Sequence, residues 1–115
     1  MLNRIVRHQS DSRLSRIVIH NGIAYLAGLT ADDRSATMKA QTAEVLKKTD
    51  ELLAVAGTDK SRLLSAMVYG SDIRFKPQMD EAWISCLDSS NPPLRACVEA
   101  RLGMAGTSAA RLARR

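Results

Sequence analysis

The chain has 115 residues, which suits one compact domain spanning residues 1–115 with its own hydrophobic core. Hydrophobic residues make up 45% and charged residues 25%, with 6 glycines and 3 prolines, so the composition is globular and excludes collagen-like and low-complexity classes. No segment has the apolar length of a membrane span and the N-terminus lacks a signal-peptide core, so we expect a cytoplasmic protein with no membrane partner.

The net charge of +5 raises the question of nucleic-acid binding. Three of those charges, Arg111, Arg114 and Arg115, fall in the last few residues, and the rest of the chain is nearly balanced. With one Phe and one Trp, the chain also lacks the aromatic platforms on which single-strand binders stack bases. We therefore expect no nucleic-acid partner. Two cysteines, Cys86 and Cys97, do not make a disulfide framework.

The N-terminal third predicts three strands. A short strand is expected at 4–7, and the run 17–26 carries β-branched and aromatic residues on both sides of Asn21-Gly22. This dipeptide tolerates the positive φ angles of a type I′ turn, so the run predicts a hairpin. Gly28 is expected to end its second arm.

The period becomes helical from about residue 36 to residue 56, and Gly57 is the expected stop. One stripe of this helix is apolar or small, comprising Met38, Thr42, Val45, Leu46, Thr49, Leu52, Leu53 and Ala56. An extended run at 62–70 predicts a further strand.

A second, shorter helix is expected at about 76–87, with Pro77 tolerated in its first turn. The run 92–102 begins with two prolines and then alternates, which predicts a strand. Leu94, Ala96, Val98, Ala100 and Leu102 would line one face and pack against helices. Arg95, Cys97, Glu99 and Arg101 would line the other face.

The predicted order is β-β-β-α-β-α-β, an α+β fold in which one mixed sheet carries both helices on one side. The opposite sheet face, bearing Val18, Tyr25 and Met67, would then be apolar and uncovered. We expect self-association to cover it.

Several segments together resemble one family of small proteins. They are the Asn21-Gly22 hairpin ending in Leu26-Ala27-Gly28, the helix closing at 54–57, the run 67–75, the run 79–83 and the segment 93–99. Over residues 14–102 the chain resembles the YjgF/RidA family of imine/enamine deaminases, also known as endoribonuclease L-PSP. The most specific piece is Pro93-x-Arg95-x-Cys97-Val-Glu.

The resemblance implies a chorismate-mutase-like fold and a homotrimer whose sheets form a central barrel. It also implies clefts between subunits in which Arg95 holds the carboxylate of a 2-imino or 2-oxo acid. Backbone groups near Cys97 would help to place substrate or water, and Gly28 would lie near the cleft. The implied reaction hydrolyses a 2-imino acid to a 2-oxo acid plus ammonia.

The candidate site therefore comprises Arg95 and Cys97 as catalytic residues, with Gly28, Tyr69, Asp80 and Glu99 as further binding residues. Each has a plainer interpretation. Arg95 could form an interface ion pair with Glu99 or Glu81, Cys97 could be a small apolar residue, and Tyr69 could serve packing. Asp80 and Glu99 could be solvated carboxylates, Asp80 standing where the family commonly has asparagine. No metal-ligand cluster or phosphate-binding loop is present in the sequence, so we expect no cofactor.

The C-terminal segment 103–115 departs from the family pattern. Active deaminases of the family carry a glutamate on a final strand, whereas this basic tail has no acidic residue and places Ala109 and Ala110 near that position. Its composition indicates a weak helix or coil, so we expect a lost strand and low or absent deaminase activity. The alternatives are a non-catalytic small-carboxylate-binding or protein-interaction role, and an RNA-binding, endoribonuclease-like role.

Overall fold

The computed structural model describes residues 4–33, 35–102 and 107–114, the last segment through its backbone. Six strands form one mixed sheet, and two helices cover one of its faces. The strands are β1 (Val6–Ser10), β2 (Ser15–His20), β3 (Ile23–Thr30), β4 (Leu63–Gly70), β5 (Leu94–Glu99) and β6 (Thr107–Arg114). The helices are α1 (Met38–Ala56) and α2 (Lys76–Cys86), with short 3₁₀ turns at Lys60–Arg62 and Ile73–Phe75. The α+β prediction is confirmed.

The strand order across the sheet is β1-β2-β3-β6-β4-β5. All neighbouring strands are antiparallel except β4 and β5, which run parallel and are joined through α2. Strand β5 therefore lies at one edge of the sheet, with β4 as its one neighbour among the described strands. Neither described helix is both long enough and apolar enough to span a bilayer.

The prediction of a weak helix or coil for the C-terminal segment is wrong over residues 107–114; residues 103–106 and 115 lie outside the described residues. Residues 107–114 form a strand between β3 and β4, with Leu26 opposite Arg111 and Met67 opposite Ala110. The alternation of a strand is hard to read in Thr-Ser-Ala-Ala-Arg-Leu-Ala-Arg because small residues give little contrast between its faces. Pairing on both edges supplies the strand structure that local composition does not indicate. The sheet therefore has six strands, and β6 lies inside it.

The hairpin between β2 and β3 turns at Asn21 and Gly22, whose φ angles are 52° and 76°. Both values are positive, as a type I′ turn requires, so this prediction is confirmed. Gly28 does not end the second arm, because β3 continues to Thr30 through a break in register between Leu26 and Leu29. The break is a β-bulge, which interrupts the ladder without ending the strand.

The first strand is also displaced from its predicted position. It was expected at 4–7 and is found at Val6–Ser10, with Gln9 at a φ of 53°. His8 pairs with Ile17 and Ser10 with Ser15, so the register of the β1–β2 ladder is the same on both sides of Gln9.

Helix α1 packs the predicted stripe against the sheet. Thr37 caps its N-terminus by accepting a hydrogen bond from Ala40 N, and Gly57 ends it at a φ of 81°. The buried residues of the helix are Gln41, Thr42, Val45, Leu46, Thr49, Leu52, Leu53 and Ala56. They match the prediction except that Gln41 is added and Met38 is half-buried.

The two faces of β5 are reversed relative to the prediction. Arg95 and Cys97 are partly buried on the helix side, where they pair in register with the buried Ala66 and Val68 of β4. The apolar residues Leu94, Ala96 and Val98 lie on the open face and are exposed. The polar face turns towards α2 because α2 supplies charged and aromatic partners for Arg95.

The open face of the sheet is apolar over several strands. Val18 lies opposite Tyr25 on β2 and β3, and Met67 lies opposite Ala96 on β4 and β5. Tyr25 and the outward residues of β5 are exposed on this side. We call the surface formed by Val18, Tyr25, Met67, Tyr69, Leu94, Ala96 and Val98 the open face.

Candidate functional site

The side chain of Arg95 is held between the end of the sheet and α2. Its Nη1 lies 2.7 Å from Asp80 Oδ1, and its guanidinium carbon lies 5.2 Å from the ring centroid of Trp83. Nη1 also donates to Met79 Sδ at 3.8 Å. The side chain is 23% exposed, so the charge is sheltered but reachable from solvent.

These contacts leave one edge of the guanidinium available. Within the described residues, no group accepts a hydrogen bond from Nε or Nη2 of Arg95. A carboxylate can accept two parallel N–H bonds from a guanidinium edge, which fixes both its position and its plane. The geometry of Arg95 therefore suits a carboxylate ligand. The alternative interpretation gave Arg95 an interface ion pair with Glu99 or Glu81; within the described chain its ion pair is with Asp80.

Asp80 joins two cations, because its Oδ2 accepts a hydrogen bond from Lys76 Nζ at 2.7 Å while Oδ1 faces Arg95. Oδ1 is buried and, despite the 2.7 Å approach, has no well-aligned hydrogen-bond donor among the described residues. Burial opposes ionisation of Asp80, but the Lys76 hydrogen bond and the Arg95 charge outweigh it and hold the pKa below its ordinary value. Asp80 is therefore an anion at neutral pH.

Cys97 lies two residues beyond Arg95 on the same face of β5. Burial raises the pKa of its thiol, although the charges of Arg95 and Lys76 partly oppose the rise. The thiol is therefore protonated at neutral pH, which does not suit a nucleophile. Cys97 lines a very small cavity of about 10 Å³ together with Met38, Val68, Gly70, Asp72, Ile73, Lys76 and Met79.

The remaining predicted site residues lie elsewhere in the chain. Glu99 Oε1 accepts a hydrogen bond from Ile73 N at 3.1 Å and so anchors the 3₁₀ turn before α2. Tyr69 belongs to the open face, on the side of the sheet opposite to Arg95. Gly28 lies on β3, which β6 and β4 separate from β5. One chain therefore brings together Arg95, Asp80 and Cys97, places Glu99 at the end of the same strand, and leaves Tyr69 and Gly28 apart.

Lys76, Met79 and Trp83 contact Asp80 or Arg95 but were not among the predicted site residues. Lys76 and Asp80 are four residues apart on α2, a spacing that brings opposite charges together on a helix. That spacing was a usable signal. The contact of Trp83 with Arg95 had no such signal, because it depends on how α2 packs against β5.

Comparison with known proteins identifies the family. The family model described as endoribonuclease L-PSP matches residues 5–106. A RutC family protein of Haemophilus ducreyi is 42% identical over 98 residues, covering 85% of this chain and 84% of the relative. The chain belongs to the YjgF/RutC family. The resemblance inferred from Arg95 and its neighbouring segments is confirmed.

Other YjgF/RutC proteins show the same relationship. The RutC family protein YoaB of Escherichia coli K12 is 33% identical over 98 residues, covering 85% of each chain. The crystal structure of a YjgF family protein from Neisseria meningitidis superposes with a TM-score of 0.95 at 31% identity, over 100% of this chain and 98% of that one. An uncharacterised protein from Pseudomonas aeruginosa superposes with a TM-score of 0.91 at 25% identity, covering 97% of this chain and 99% of that chain. The YjgF/RutC fold therefore extends over essentially the whole chain.

Proposed function

We propose that this protein binds small carboxylates bearing a 2-imino or 2-oxo group through Arg95 and hydrolyses the imines. The observation that supports the proposal is the guanidinium itself, held by Asp80 and Trp83 with its Nε–Nη2 edge left for a ligand. In the reaction, water adds to the C=N carbon and ammonia leaves, so a 2-imino acid plus water gives a 2-oxo acid plus ammonia. Imines hydrolyse unaided, so positioning by Arg95 is the main contribution required.

The same proposal includes a homotrimer in the cytoplasm, with the open faces of three chains meeting at its centre. Covering the apolar open face removes exposed hydrophobic surface from water, which favours association. Strand β5 lies at a sheet edge, so its polar face could border a neighbouring chain. This arrangement would place Arg95 beside an interface and could bring Gly28 of another chain towards it.

We expect turnover to be slow. The sequence of β6 contains no acidic residue, and Cys97 is a neutral thiol, so no described side chain beside Arg95 is suited to activate water. Asp80 is already paired with two cations. This observation favours a second candidate function, carboxylate binding without turnover. The matching family model is described as an endoribonuclease. RNA cleavage is therefore a third candidate function, and the experiments below distinguish it from the other two.

Binding is tested by thermal unfolding in the presence of 2-oxobutanoate. A ligand present at 100 times its Kd stabilises the folded state by about 2.7 kcal/mol, which raises the Tm of a domain of this size by roughly 10 °C. We expect this shift in the wild type and its loss in Arg95→Ala. The matched control is Arg13→Ala, because Arg13 is an exposed arginine paired with Asp11 at the opposite end of the sheet. An equal shift in wild type and Arg95→Ala would refute the proposal.

Turnover is tested by generating 2-iminobutanoate in situ with an amino-acid oxidase and trapping the remaining imine with semicarbazide. We expect the protein to reduce imine trapping slightly and Arg95→Ala not to reduce it. Binding with no effect on imine lifetime would establish the second candidate instead. Cleavage of a labelled RNA, with no response to 2-oxobutanoate, would establish the third.

A further inference from the structure

We propose that Asp80 sets the charge preference of the Arg95 site, so that ligands with one carboxylate are selected over ligands with two. The inference rests on the proposed binding of carboxylates at Arg95. It concerns the cluster of Lys76, Asp80 and Arg95, which we call the charge cluster.

The charge cluster is a chain of direct contacts. Lys76 Nζ donates to Asp80 Oδ2 at 2.7 Å, and Asp80 Oδ1 lies 2.7 Å from Arg95 Nη1. The side chains are 39%, 31% and 23% exposed respectively, so all three are partly shielded from solvent. Charges in such positions are screened less by salt than fully exposed ones. Two cations and one anion give the cluster a net charge of +1.

Of the neighbouring charged groups, one pair cancels and Glu99 contributes one negative charge. Arg74 forms a bidentate contact with Asp72, its Nη2 lying 2.6 Å from Oδ2, and these two charges cancel. Glu99 accepts from the backbone of Ile73 and attracts the Arg74 charge. The three members of the charge cluster, by contrast, all act on the Cys97 thiol, which lies beside Arg95. These three charges therefore lie together beside the Arg95 edge, and the negative charge of Glu99 is the same in every variant compared below.

A net charge of +1 balances one ligand carboxylate. A second carboxylate on the same ligand enters a site whose positive charge is already neutralised, and Asp80 repels it. Removing the Asp80 charge raises the net charge to +2 and attracts each ligand carboxylate more strongly. A dianion gains this attraction twice and a monoanion once, so the preference must shift towards the dianion. At the high effective dielectric of a partly exposed site, one unit of charge a few ångströms beyond direct contact changes the ratio by roughly tenfold.

The experiment compares two ligands of equal chain length, 2-oxopentanoate and 2-oxoglutarate, which differ in the terminal carboxylate. Isothermal titration calorimetry gives the Kd of each for wild type, Asp80→Asn and Lys76→Gln, whose clusters carry +1, +2 and 0. If a variant displaces Arg95, both ligands bind more weakly, because both present the same 2-oxo carboxylate to it. The two Kd values then change by the same factor, which cancels in their ratio. The matched control is Glu81→Gln on the same helix. It changes total charge by the same unit as Asp80→Asn, but Glu81 pairs with Lys39 at 2.8 Å.

We expect the wild type to prefer 2-oxopentanoate. Asp80→Asn should shift the Kd ratio roughly tenfold towards 2-oxoglutarate, Lys76→Gln should shift it in the opposite direction, and Glu81→Gln should leave it within about twofold. An unchanged ratio in Asp80→Asn, or an equal shift in Glu81→Gln, overturns the inference while leaving carboxylate binding intact. If neither ligand binds the wild type, the proposed function itself fails. Circular dichroism spectra of the variants establish that each one is folded before titration.

Discussion

Leu94→Asp tests whether the open face is an interface between chains. Leu94 lies on β5 and is 77% exposed, the largest exposure among the large hydrophobic residues described. Burying a leucine side chain contributes about 1.5–3 kcal/mol, so covering Leu94 yields about 1–2 kcal/mol per chain. In a trimer the loss recurs in three copies, about 3–6 kcal/mol in total, before the cost of burying the new carboxylate is added.

A loss of about 4 kcal/mol weakens assembly by roughly a factor of 1,000, because each 1.4 kcal/mol corresponds to a factor of ten. Sedimentation velocity at micromolar concentration measures the result directly. We expect the wild type to sediment as a trimer and Leu94→Asp to sediment mainly as a single chain with an unchanged circular dichroism spectrum.

Ile84→Asp is the matched control for this experiment. Ile84 is also a large aliphatic residue and is 69% exposed, but it lies on α2, away from the open face. It should leave the trimer intact. The reasoning is refuted if the wild type is monomeric, if Leu94→Asp remains trimeric, or if both aspartates dissociate the assembly to the same extent.

Three further predictions concern stability and reactivity. Gly57→Ala should lower the free energy of unfolding by about 1–2 kcal/mol in urea titrations, since the left-handed φ of 81° is strained for alanine, and Gly57→Asn should lose less. The pKa of Asp80 is depressed below its ordinary 3.8, so the ionised carboxylate stabilises the folded state. The difference in free energy of unfolding between wild type and Asp80→Asn should therefore have its full value above pH 3.8. This stability difference should shrink as the pH falls through the lower pKa of the folded state. A difference that grows on acidification would contradict the prediction. Burial raises the pKa of Cys97, so peptide mapping should show iodoacetamide alkylating it more slowly at neutral pH than free cysteine; an equal or faster rate would contradict the assignment of a neutral thiol.

Local chemistry made much of the fold predictable from the sequence. Asn21-Gly22 specified a turn because few other dipeptides tolerate two positive φ angles in succession. The α1 stripe was readable because its period persists over 19 residues and ends at Gly57. In both cases the information lies within a few residues of the structure it determines.

The errors arose where structure depends on distant partners. Strand β6 is stabilised by β3 and β4 on its two edges, so its small residues gave no local sign of a strand. The faces of β5 were assigned on the rule that apolar residues pack against helices. In β5 the opposite is found. Arg95 packs against α2, where it has a charged partner, and the apolar face of β5 is left uncovered.

The part of the candidate site that lies on a single strand was predictable from the sequence, and the part that another element supplies was not. Arg95 and Cys97 belong to one strand and share a face by alternation, and their motif was readable. Asp80 comes from α2, and its place beside Arg95 follows from the packing of the β4–α2–β5 unit rather than from any local pattern. Tyr69 and Gly28 belong to a site only if a second chain supplies part of it.

The position of β6 has a consequence for how the protein is made. The first three strands and the β4–β5 pair join into one sheet only through this late segment. On the ribosome, β3 and β4 therefore emerge with open edges before their shared neighbour has been synthesised. Unpaired edges recruit other chains, so the nascent polypeptide is most prone to aggregation during this interval.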